Sequence, residues 1–242
     1  MGSYLVVGGS SDIGLILCNK LIEDGHSVTV IGRDSSRMDK IENLGGRVFV
    51  GDATDEHFVS EVVNSFSSVG DGKIDAVAHL VGSLLIRPPH ALTSEAFNEV
   101  INTNLTSAFI TLSKACKYML RNGGGRIVFT SSVAASVGLV NHEAISAAKG
   151  GIESMARSAA ATYSKRGIRV NVVAPGLTDT RMAQPITKSE TSKEAAVSKI
   201  PLNRINLPEE VSDAIFWLLT NAPDNITGQI LHLDGGMSQV RG

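Results

Sequence analysis

The sequence predicts a doubly wound α/β fold, in which one seven-stranded parallel sheet is flanked by helices on both faces. Short β-branched apolar runs alternate along the chain with longer helical patterns, which is typical of parallel strands joined by crossover helices. The 242 residues are 43% hydrophobic and 19% charged, an ordinary globular balance, and no Pro/Ser-rich linker divides them. We therefore expect a single domain over residues 1–242.

Seven apolar runs predict the strands, and longer amphipathic patterns predict helices between them. The predicted strands are residues 4–7, 28–31, 47–50, 76–80, 126–130, 169–173 and 229–233. The predicted helices include residues 13–23, 94–121, 145–164 and 209–220. Residues 181–200 are polar and only weakly periodic, and this pattern predicts a mobile insertion within the domain.

The first predicted strand leads directly into a glycine-rich turn that opens a helix. Small residues let a dinucleotide pyrophosphate approach the backbone, and the helix N-terminus offers free N–H groups and the positive end of a dipole. The candidate pyrophosphate-binding residues are Gly8, Ser10, Ser11, Asp12, Ile13 and Gly14. Two alternatives stay open: the turn could be only a tight strand-to-helix connection, and Asp12 could cap the helix.

This turn resembles the T-G-x-x-x-G-I-G fingerprint of the short-chain dehydrogenase/reductase family. Gly8, Ile13 and Gly14 match the fingerprint, whereas Val7 stands for its threonine and Asp12 for its middle glycine. Other similar segments follow in the expected order, so that the resemblance covers the chain from residue 4 to about residue 237. It implies a single-domain Rossmann fold, a nicotinamide cofactor and oxidoreductase activity on a small molecule.

The family's active site is a tetrad of Asn, Ser, Tyr and Lys, which the resemblance transfers one position at a time. Asn104 matches the asparagine that holds a water, and Ser132 matches the serine that hydrogen-bonds the substrate oxygen, with Ser131 as the competing assignment. Lys149 matches the lysine that binds the nicotinamide ribose and lowers the pKa of the tyrosine. The tyrosine position holds Ile145, which can neither donate nor accept a proton.

Two residues are candidates to supply the missing proton. His142 lies three residues before Ile145, in the predicted loop that leads into the helix, and histidine can donate a proton near neutral pH. Lys149 is the second candidate, because desolvation can bring a lysine pKa toward neutrality. A simple pocket-lining or solvent-facing role for His142 stays open.

The end of the second strand bears on the choice of cofactor. NAD enzymes of the family tend to carry Asp where this chain has Gly32, and Arg33 follows, whose guanidinium suits a phosphate. The resemblance therefore favours NADP(H) over NAD(H), with the alternative that Arg33 is solvated and Asp34 binds the ribose. After the third strand, Asp52 and Ala53 resemble the family's adenine contact, although Asp52 could merely cap a helix near residue 54.

Two further segments are assigned to the cofactor by resemblance. The fourth strand ends in His79-Leu80-Val81-Gly82 where the family has N-N-A-G, so that Val81 and Gly82 are assigned and His79 is interpreted as a core histidine. Residues 169–180 read R-V-N-V-V-A-P-G-L-T-D-T and resemble the strand and turn that contact the carboxamide. The assigned residues there are Pro175, Gly176, Leu177 and Thr178.

Composition excludes some partners and suggests a compartment. A net charge of −2 without a run of Lys or Arg argues against nucleic acid, and no apolar run approaches the roughly 20 residues of a membrane span. Cys18 and Cys116 lie in helix-like segments and are expected to be buried free thiols rather than metal ligands, so that the cytoplasm is the expected compartment. Small residues from 147 to 161, together with the family's packing, imply a homotetramer, with a dimer next.

Three hypotheses about function remain at this stage. The first is an NADP(H)-dependent oxidoreductase acting on a carbonyl, an alcohol or an activated double bond of a small or medium molecule. The second is a nucleotide-binding regulatory or partner protein without redox activity, which the missing tyrosine supports. The third is a lyase or isomerase that uses the same pocket.

Overall fold

The computed structural model describes residues 1–68 and 70–240, and these residues form the predicted seven-stranded sheet. All neighbouring strands are parallel. The strands are β1 Ser3–Val7, β2 Ser27–Gly32, β3 Arg47–Val50, β4 Ala76–His79, β5 Gly125–Thr130, β6 Ile168–Pro175 and β7 Ile230–Leu233. Each predicted strand is present, with bounds that differ by at most two residues.

The strand order is β3-β2-β1-β4-β5-β6-β7. The chain starts at β1, winds outward to β3, and then returns to the other side of β1 through β4. Adjacent strands β1 and β4 therefore feed connections to opposite sides of the sheet, and a crevice opens beyond their carboxyl ends. This topological switch point is where a dinucleotide site is expected in such sheets.

Helices cover both faces of the sheet. Their bounds are α1 Asp12–Glu23, α2 Ser35–Asn43, α3 Glu56–Asn64, α4 Ser94–Ile101, α5 Ser107–Met119, α6 Glu143–Tyr163, α7 Gln184–Thr187, α8 Glu190–Val197 and α9 Pro208–Thr220. The alternation of strand side chains divides the core into two clusters. Leu5 and Val7 of β1 pack in the cluster that includes α3, α5 and α6, whereas Tyr4 and Val6 pack in the cluster that includes α1, α2 and α9.

The helical segment predicted over residues 94–121 is present over residues 94–119, but it is not one regular α-helix. α4 and α5 are separated by a π-helical turn, Asn102–Thr106, in which an extra residue enters the helical repeat. The amide Nδ2 of Asn104 donates to the carbonyl of Val100 at 2.9 Å, so that a side chain satisfies an oxygen within the disturbed ladder. The turn thereby buries Asn104 completely and points its amide toward the end of β4.

Several boundaries and short elements also differ from the prediction. α6 starts at Glu143, two residues earlier than expected, and α3 starts at Glu56, where a helix was expected from near residue 54. α2 was not predicted. Residues 181–200, predicted as a mobile insertion, contain the short helices α7 and α8. Cys18 and Cys116 are buried free thiols, as predicted.

Candidate active site

The glycine-rich turn between β1 and α1 is a cradle lined by backbone. Gly8 has φ +88°, and a Cβ placed there would lie 2.9 Å from both the carbonyl carbon of Leu80 and the nitrogen of Val81. A Cβ at Gly14 would lie 2.7 Å from the oxygen of Gly8. Ser11 caps α1, since its hydroxyl accepts from the Gly14 nitrogen at 3.1 Å. The close approaches leave room only for glycine, and the geometry fits a dinucleotide pyrophosphate.

Asp12 is not the cap of α1, because Ser11 occupies that role and Asp12 is the first helical residue. Its carboxylate instead accepts from Arg37 Nη2 at 2.5 Å, from Arg181 Nε at 3.2 Å and from the Arg181 backbone nitrogen at 2.8 Å. The alternative that Asp12 merely caps the helix is therefore wrong. Its negative charge is offset by two guanidinium groups before any phosphate arrives.

The end of β2 has no space for the acidic side chain that NAD enzymes use. A Cβ at Gly32 would lie 2.6 Å from Met38 Sδ and 2.9 Å from Ser10 Oγ. Arg33 is exposed, with its Nη1 3.9 Å from Asp52 Oδ2. The Asp34 carboxylate caps α2 by accepting from the Arg37 nitrogen at 3.3 Å. Arg33 is thus an exposed cation at the carboxyl end of β2, held by a long ion pair with Asp52.

Asp52 follows β3 and lies beside Arg33. Its Oδ1 accepts from the backbone nitrogen and hydroxyl of Thr54 at 2.9 and 2.8 Å. These hydrogen bonds, the backbone one foremost, lower the pKa of Asp52 and keep it ionised. The helix that follows starts at Glu56 and is capped by Asp55, so the alternative that Asp52 caps it is wrong. Ala53, the other predicted adenine contact, is buried.

Lys149 and Asn104 converge on Gly82, just beyond the end of β4. A Cβ at Gly82 would lie 3.0 Å from Asn104 Oδ1 and 3.3 Å from Lys149 Nζ. Two hydrogen bonds with Ser83 fix the Asn104 amide. Its Oδ1 accepts from the Ser83 backbone nitrogen at 3.2 Å, and its Nδ2 donates to the Ser83 hydroxyl at 3.0 Å. Lys149 Nζ donates to the carbonyl of Thr130 at 3.0 Å, and burial lowers its pKa to about 8. Three predicted site residues, Asn104, Lys149 and Gly82, are therefore brought together.

The two serines after β5 have different surroundings. Ser131 is buried, and its hydroxyl lies 2.8 Å from Glu153 Oε1 and 3.3 Å from the carbonyl of Lys149, both in α6. Ser132 is partly exposed, and its hydroxyl accepts from the Ala134 nitrogen at 3.2 Å, which leaves its proton available. The geometry therefore favours Ser132 over Ser131 for contact with a substrate.

Ile145 lies one helical turn before Lys149 in α6, on the same face of the helix. It is 3% exposed and belongs to an apolar cluster with Val100, Ala134 and Ala148. Partly buried side chains pack against this cluster, namely Leu85, Leu92, Ile101, Leu105 and Leu139. The position before the lysine is therefore part of an apolar wall.

His142 occupies the N-cap position of α6, as the predicted loop location implies. Its Nδ1 lies 2.7 Å from the carbonyl oxygen of Val140. Because a carbonyl only accepts, Nδ1 must carry a hydrogen, and in the neutral ring Nε2 is then without one. His142 can therefore deliver a proton from Nε2 only as an imidazolium.

His79 is a core histidine, as predicted. It is fully buried at the end of β4, with Nδ1 3.0 Å from the Thr111 hydroxyl and Nε2 3.2 Å from that of Ser107. Burial, and secondarily the charge of Lys149, lower its pKa to about 3. The ring is neutral and serves to pin α5 to the sheet.

The segment that follows β6 forms the far side of the groove. Pro175 is the last residue of β6 rather than part of the turn. Gly176 is packed so closely that its Cβ would lie 2.9 Å from the Cα of Asp234. Leu177 accepts from the Asn206 nitrogen at 2.9 Å, and the buried Thr178 forms an isolated parallel bridge with Asn206. These contacts fix the backbone assigned to the carboxamide.

Comparison with known proteins agrees with this geometry. The family described as Enoyl-(Acyl carrier protein) reductase matches residues 8–238. The 3-oxoacyl-[acyl-carrier-protein] reductase MabA of Mycobacterium tuberculosis is 34% identical over 235 residues, which cover 97% of this chain and 92% of MabA. A short-chain type dehydrogenase/reductase from Mycobacterium ulcerans superposes with a TM-score of 0.92 at 31% identity, covering 100% of this chain and 91% of the other. The chain belongs to the short-chain dehydrogenase/reductase family.

Two other members extend the comparison. The 2-(S)-hydroxypropyl-CoM dehydrogenase 3 of Xanthobacter autotrophicus is 31% identical over 244 residues, covering 97% of this chain and 96% of that enzyme. The structure of ElxO with NADP bound has a TM-score of 0.90 at 26% identity, over 98% of each chain. The family and these relatives place the protein among the oxidoreductases of the short-chain dehydrogenase/reductase type.

Ser83 and Arg181 begin segments that are expected from the resemblance to line the pocket, whereas the sequence did not indicate Arg37 and Glu153, which also shape the site. No local pattern marked them, since each acts on a residue distant in the chain.

In the described part of the chain, no helix is long and apolar enough to cross a membrane. Within the same ranges, no cluster of three or more His, Cys, Asp or Glu side chains could hold a metal ion.

Proposed function

We propose that the protein is an NADP(H)-dependent reductase or dehydrogenase of a carbonyl, an alcohol or an activated double bond, with a proton donor other than tyrosine. The observation that carries this proposal is the meeting of Asn104 and Lys149 at Gly82, beside a glycine cradle, with Ile145 one turn before the lysine. A bound nicotinamide would supply or accept the hydride. The protein's own residues must then bind and orient the cofactor and the substrate, and they must supply the proton.

The choice of NADP(H) rests on charge and space at the end of β2. Gly32 is surrounded by Met38 and Ser10, so that position itself offers no carboxylate to a ribose hydroxyl. Arg33 is exposed at the same end and offers a guanidinium fork to a 2′-phosphate. ElxO, a related structure, is solved with NADP bound, which supports the same assignment. NAD(H) is the less favoured alternative.

The residues that would hold the cofactor line both sides of the crevice. On one side are the cradle residues Gly8 to Gly14 together with Arg33, Asp52 and Ala53. On the other side is the backbone from Pro175 to Thr178. Val81, Gly82 and Lys149 lie between them, beyond the end of β4.

Lys149 is the proton donor that the geometry supports best. Its ammonium is buried, faces Gly82 and Asn104, and has a pKa of about 8, which keeps it protonated but ready to release a proton near neutral pH. His142 is the second candidate, from the N-cap of α6. In either case the Ser132 hydroxyl would donate a hydrogen bond to the substrate oxygen, and Asn104 would hold a water that returns the proton to Lys149.

The walls of the pocket point to the substrate class. Ile145 and the leucines and isoleucine packed against its cluster present an apolar surface next to Lys149. MabA, a relative, is named for reduction of 3-oxoacyl groups on a carrier protein. We therefore assign a small or medium, partly apolar carbonyl compound as substrate.

A second candidate function is favoured by the same isoleucine. A buried apolar residue at position 145 is compatible with an NADP(H)-binding regulatory or partner protein that carries out no redox turnover. Such a protein would keep the cradle and Lys149 for the cofactor and would have no need of a proton donor.

The two candidates are separated by measuring cofactor binding and turnover together. NADPH binding is followed by its fluorescence, and NADPH oxidation is followed against a panel of aldehydes, ketones, enones and β-keto thioesters. Binding with turnover supports the reductase, whereas binding without turnover supports the second candidate. Failure to bind NADPH or NADH contradicts both.

We also propose an assembly and a location for the protein. The exposed Phe109 of α5 and the open space around Gly150 of α6 support packing of these helices against a second copy, in a homotetramer or a dimer. A sedimentation mass near 25.5 kDa would contradict both assemblies. The cytoplasm remains the proposed location.

A further inference from the structure

The carboxylate of Asp12 joins three segments that are distant in the chain. Arg37 of α2 donates from Nη2 to Asp12 Oδ1, and from Nη1 to the carbonyl of Ser10, both at 2.5 Å. Arg181 approaches the same carboxylate from the other direction, through its Nε at 3.2 Å and its backbone nitrogen at 2.8 Å. One acidic side chain therefore holds two arginines.

Arg181 stands at a junction in the chain. It follows the stretch from Pro175 to Thr178, which forms one side of the crevice, and it begins the segment 181–200. Asp12 stands in the cradle on the opposite side. The Asp12–Arg181 ion pair therefore connects the two sides that would hold the cofactor, and it ties the start of the segment 181–200 to the glycine-rich turn.

The ion pair is better placed than an ordinary surface pair. The side chain of Asp12 is 21% exposed, that of Arg37 is 20% exposed and that of Arg181 is 56% exposed, so the acceptor and one partner are largely buried. The network includes four hydrogen bonds that involve a charged group, one of them from the backbone nitrogen of Arg181. Networks of this kind contribute more than isolated exposed pairs. The family fingerprint has glycine at this position, so the connection is a property of this chain rather than of its scaffold.

We propose that Asp12 is a positioning residue that, through Arg181, fastens the segment 181–200 across the cofactor groove and slows release of the cofactor. Arg37 holds the Asp12 carboxylate in place from the opposite side and offsets its charge. The proposal rests on the NADP(H)-binding function argued above. It assigns to Asp12 a role in retaining the cofactor and no part in the chemical step.

The test is the rate of NADPH release, measured by stopped-flow fluorescence after displacement with excess NADP⁺. Asp12→Asn keeps the shape of the side chain and removes its charge, and Arg181→Gln removes one partner but leaves the backbone contact. Each substitution is expected to raise the release rate by about fivefold to twentyfold. A tenfold change in rate corresponds to about 1.4 kcal/mol. The double variant should be no faster than Asp12→Asn, because both remove the same connection.

Controls separate this role from general loss of structure. Arg166→Gln changes an exposed arginine just before the start of β6, at the amino end of that strand and away from the cofactor groove. This variant should leave the release rate unchanged. Arg181→Lys keeps the charge and should restore most of the slow release. Thermal unfolding of each variant within a few degrees of the natural protein shows that the fold is intact.

The outcomes distinguish this inference from the proposed function. Unchanged or slower release in Asp12→Asn overturns the inference while leaving the proposed function standing. Faster release in Asp12→Asn but not in Arg181→Gln also overturns it, because the ion pair with the Arg181 guanidinium would then not contribute to retention. If the natural protein binds neither NADPH nor NADH, both the proposed function and the inference fail.

Discussion

Lys149 Nζ and Asn104 Oδ1 meet at Gly82, where an added Cβ would lie 3.3 and 3.0 Å from them. The lysine comes from α6, the asparagine from the π-helical turn before α5, and the glycine from the end of β4. Three elements thus bring an ammonium, an amide and an open backbone position together at the switch point of the sheet. Ile145 lies one helical turn before the lysine, and in the function proposed above the ammonium is the group that supplies the proton.

The glycine cradle is tested by substituting Gly8. Gly8→Ala forces a Cβ to within 2.9 Å of the backbone of Leu80 and Val81, so we expect NADPH binding to be lost and stability to fall. Gly45→Ala is the matched control, because Gly45 has a similar φ of +89° but no neighbour within 4 Å of its Cβ. Denaturant unfolding should show Gly8→Ala about 1–3 kcal/mol less stable than Gly45→Ala. Equal stability and retained binding would show that the cradle is not tightly packed.

Cofactor preference is tested at Arg33. Arg33→Ala should weaken NADPH binding about tenfold to a hundredfold, since a charge-assisted contact contributes roughly 1.5–3 kcal/mol, and should leave NADH binding nearly unchanged. Fluorescence titration with both nucleotides measures this. Asp34→Ala is the companion variant: it removes the cap of α2 and should cost about 1 kcal/mol of stability without changing the preference. A selective loss of NADH binding in Asp34→Ala would instead assign the ribose to Asp34.

The serine assignment is tested by comparing two alanine variants. Ser132→Ala should lower the turnover rate by about a hundredfold, because a hydrogen bond to the substrate oxygen is lost. Ser131→Ala removes the contact with buried Glu153 and should act chiefly on stability. Steady-state kinetics and thermal unfolding of both variants give the comparison. A larger loss of turnover in Ser131→Ala would reverse the assignment.

The role of Lys149 predicts a specific pH dependence. Burial lowers its pKa to about 8 from its ordinary value of 10.5, and the ammonium is the form that donates. The reduction rate should therefore be full below about pH 7 and fall as the pH rises through 8. A loss of rate already below neutral pH would point to an imidazolium donor instead, and a rate independent of pH up to 10 would exclude Lys149.

The lowered pKa of Lys149 also makes the free energy of unfolding depend on pH. Between pH 8 and 10.5 the unfolded chain binds the Lys149 proton more tightly than the folded one, so stability contributed by this group rises with pH across that interval. Lys149→Met should remove this rise. Denaturant unfolding at several pH values, compared with the natural protein, measures it.

The sequence predicted the strands and the cradle because both have local signatures. A run of β-branched residues marks a strand, and a glycine-rich turn after the first one marks a strand-to-helix junction. α2 was missed because it spans only nine residues, too few for a strong periodic pattern, although Asp34 stands as a cap before it. α3 is equally short, and only its start near residue 54 was expected. The break in the helix over 94–121 was missed because a π-turn changes no local composition.

The site was predicted less completely than the fold. Asn104, Ser132 and Lys149 could be assigned from resemblance, but the contacts that orient them could not. Asp12 and Arg181 form an ion pair although they lie 169 positions apart in the chain. No pattern in the sequence predicts a contact over that distance. Glu153, which fixes Ser131, shows no sign of that role in a helix of alternating small and polar residues.

The central claim, that a group other than tyrosine supplies the proton, is tested most directly by NADPH oxidation with the natural protein and with Ile145→Tyr, side by side on the same carbonyl panel. We predict that the natural protein turns over and that the tyrosine variant is no faster, because a phenol at position 145 would disturb the apolar cluster with Val100, Ala134 and Ala148. Turnover by the Ile145→Tyr variant alone would contradict the account. That result would show that the natural protein still binds and orients a substrate but lacks a proton donor.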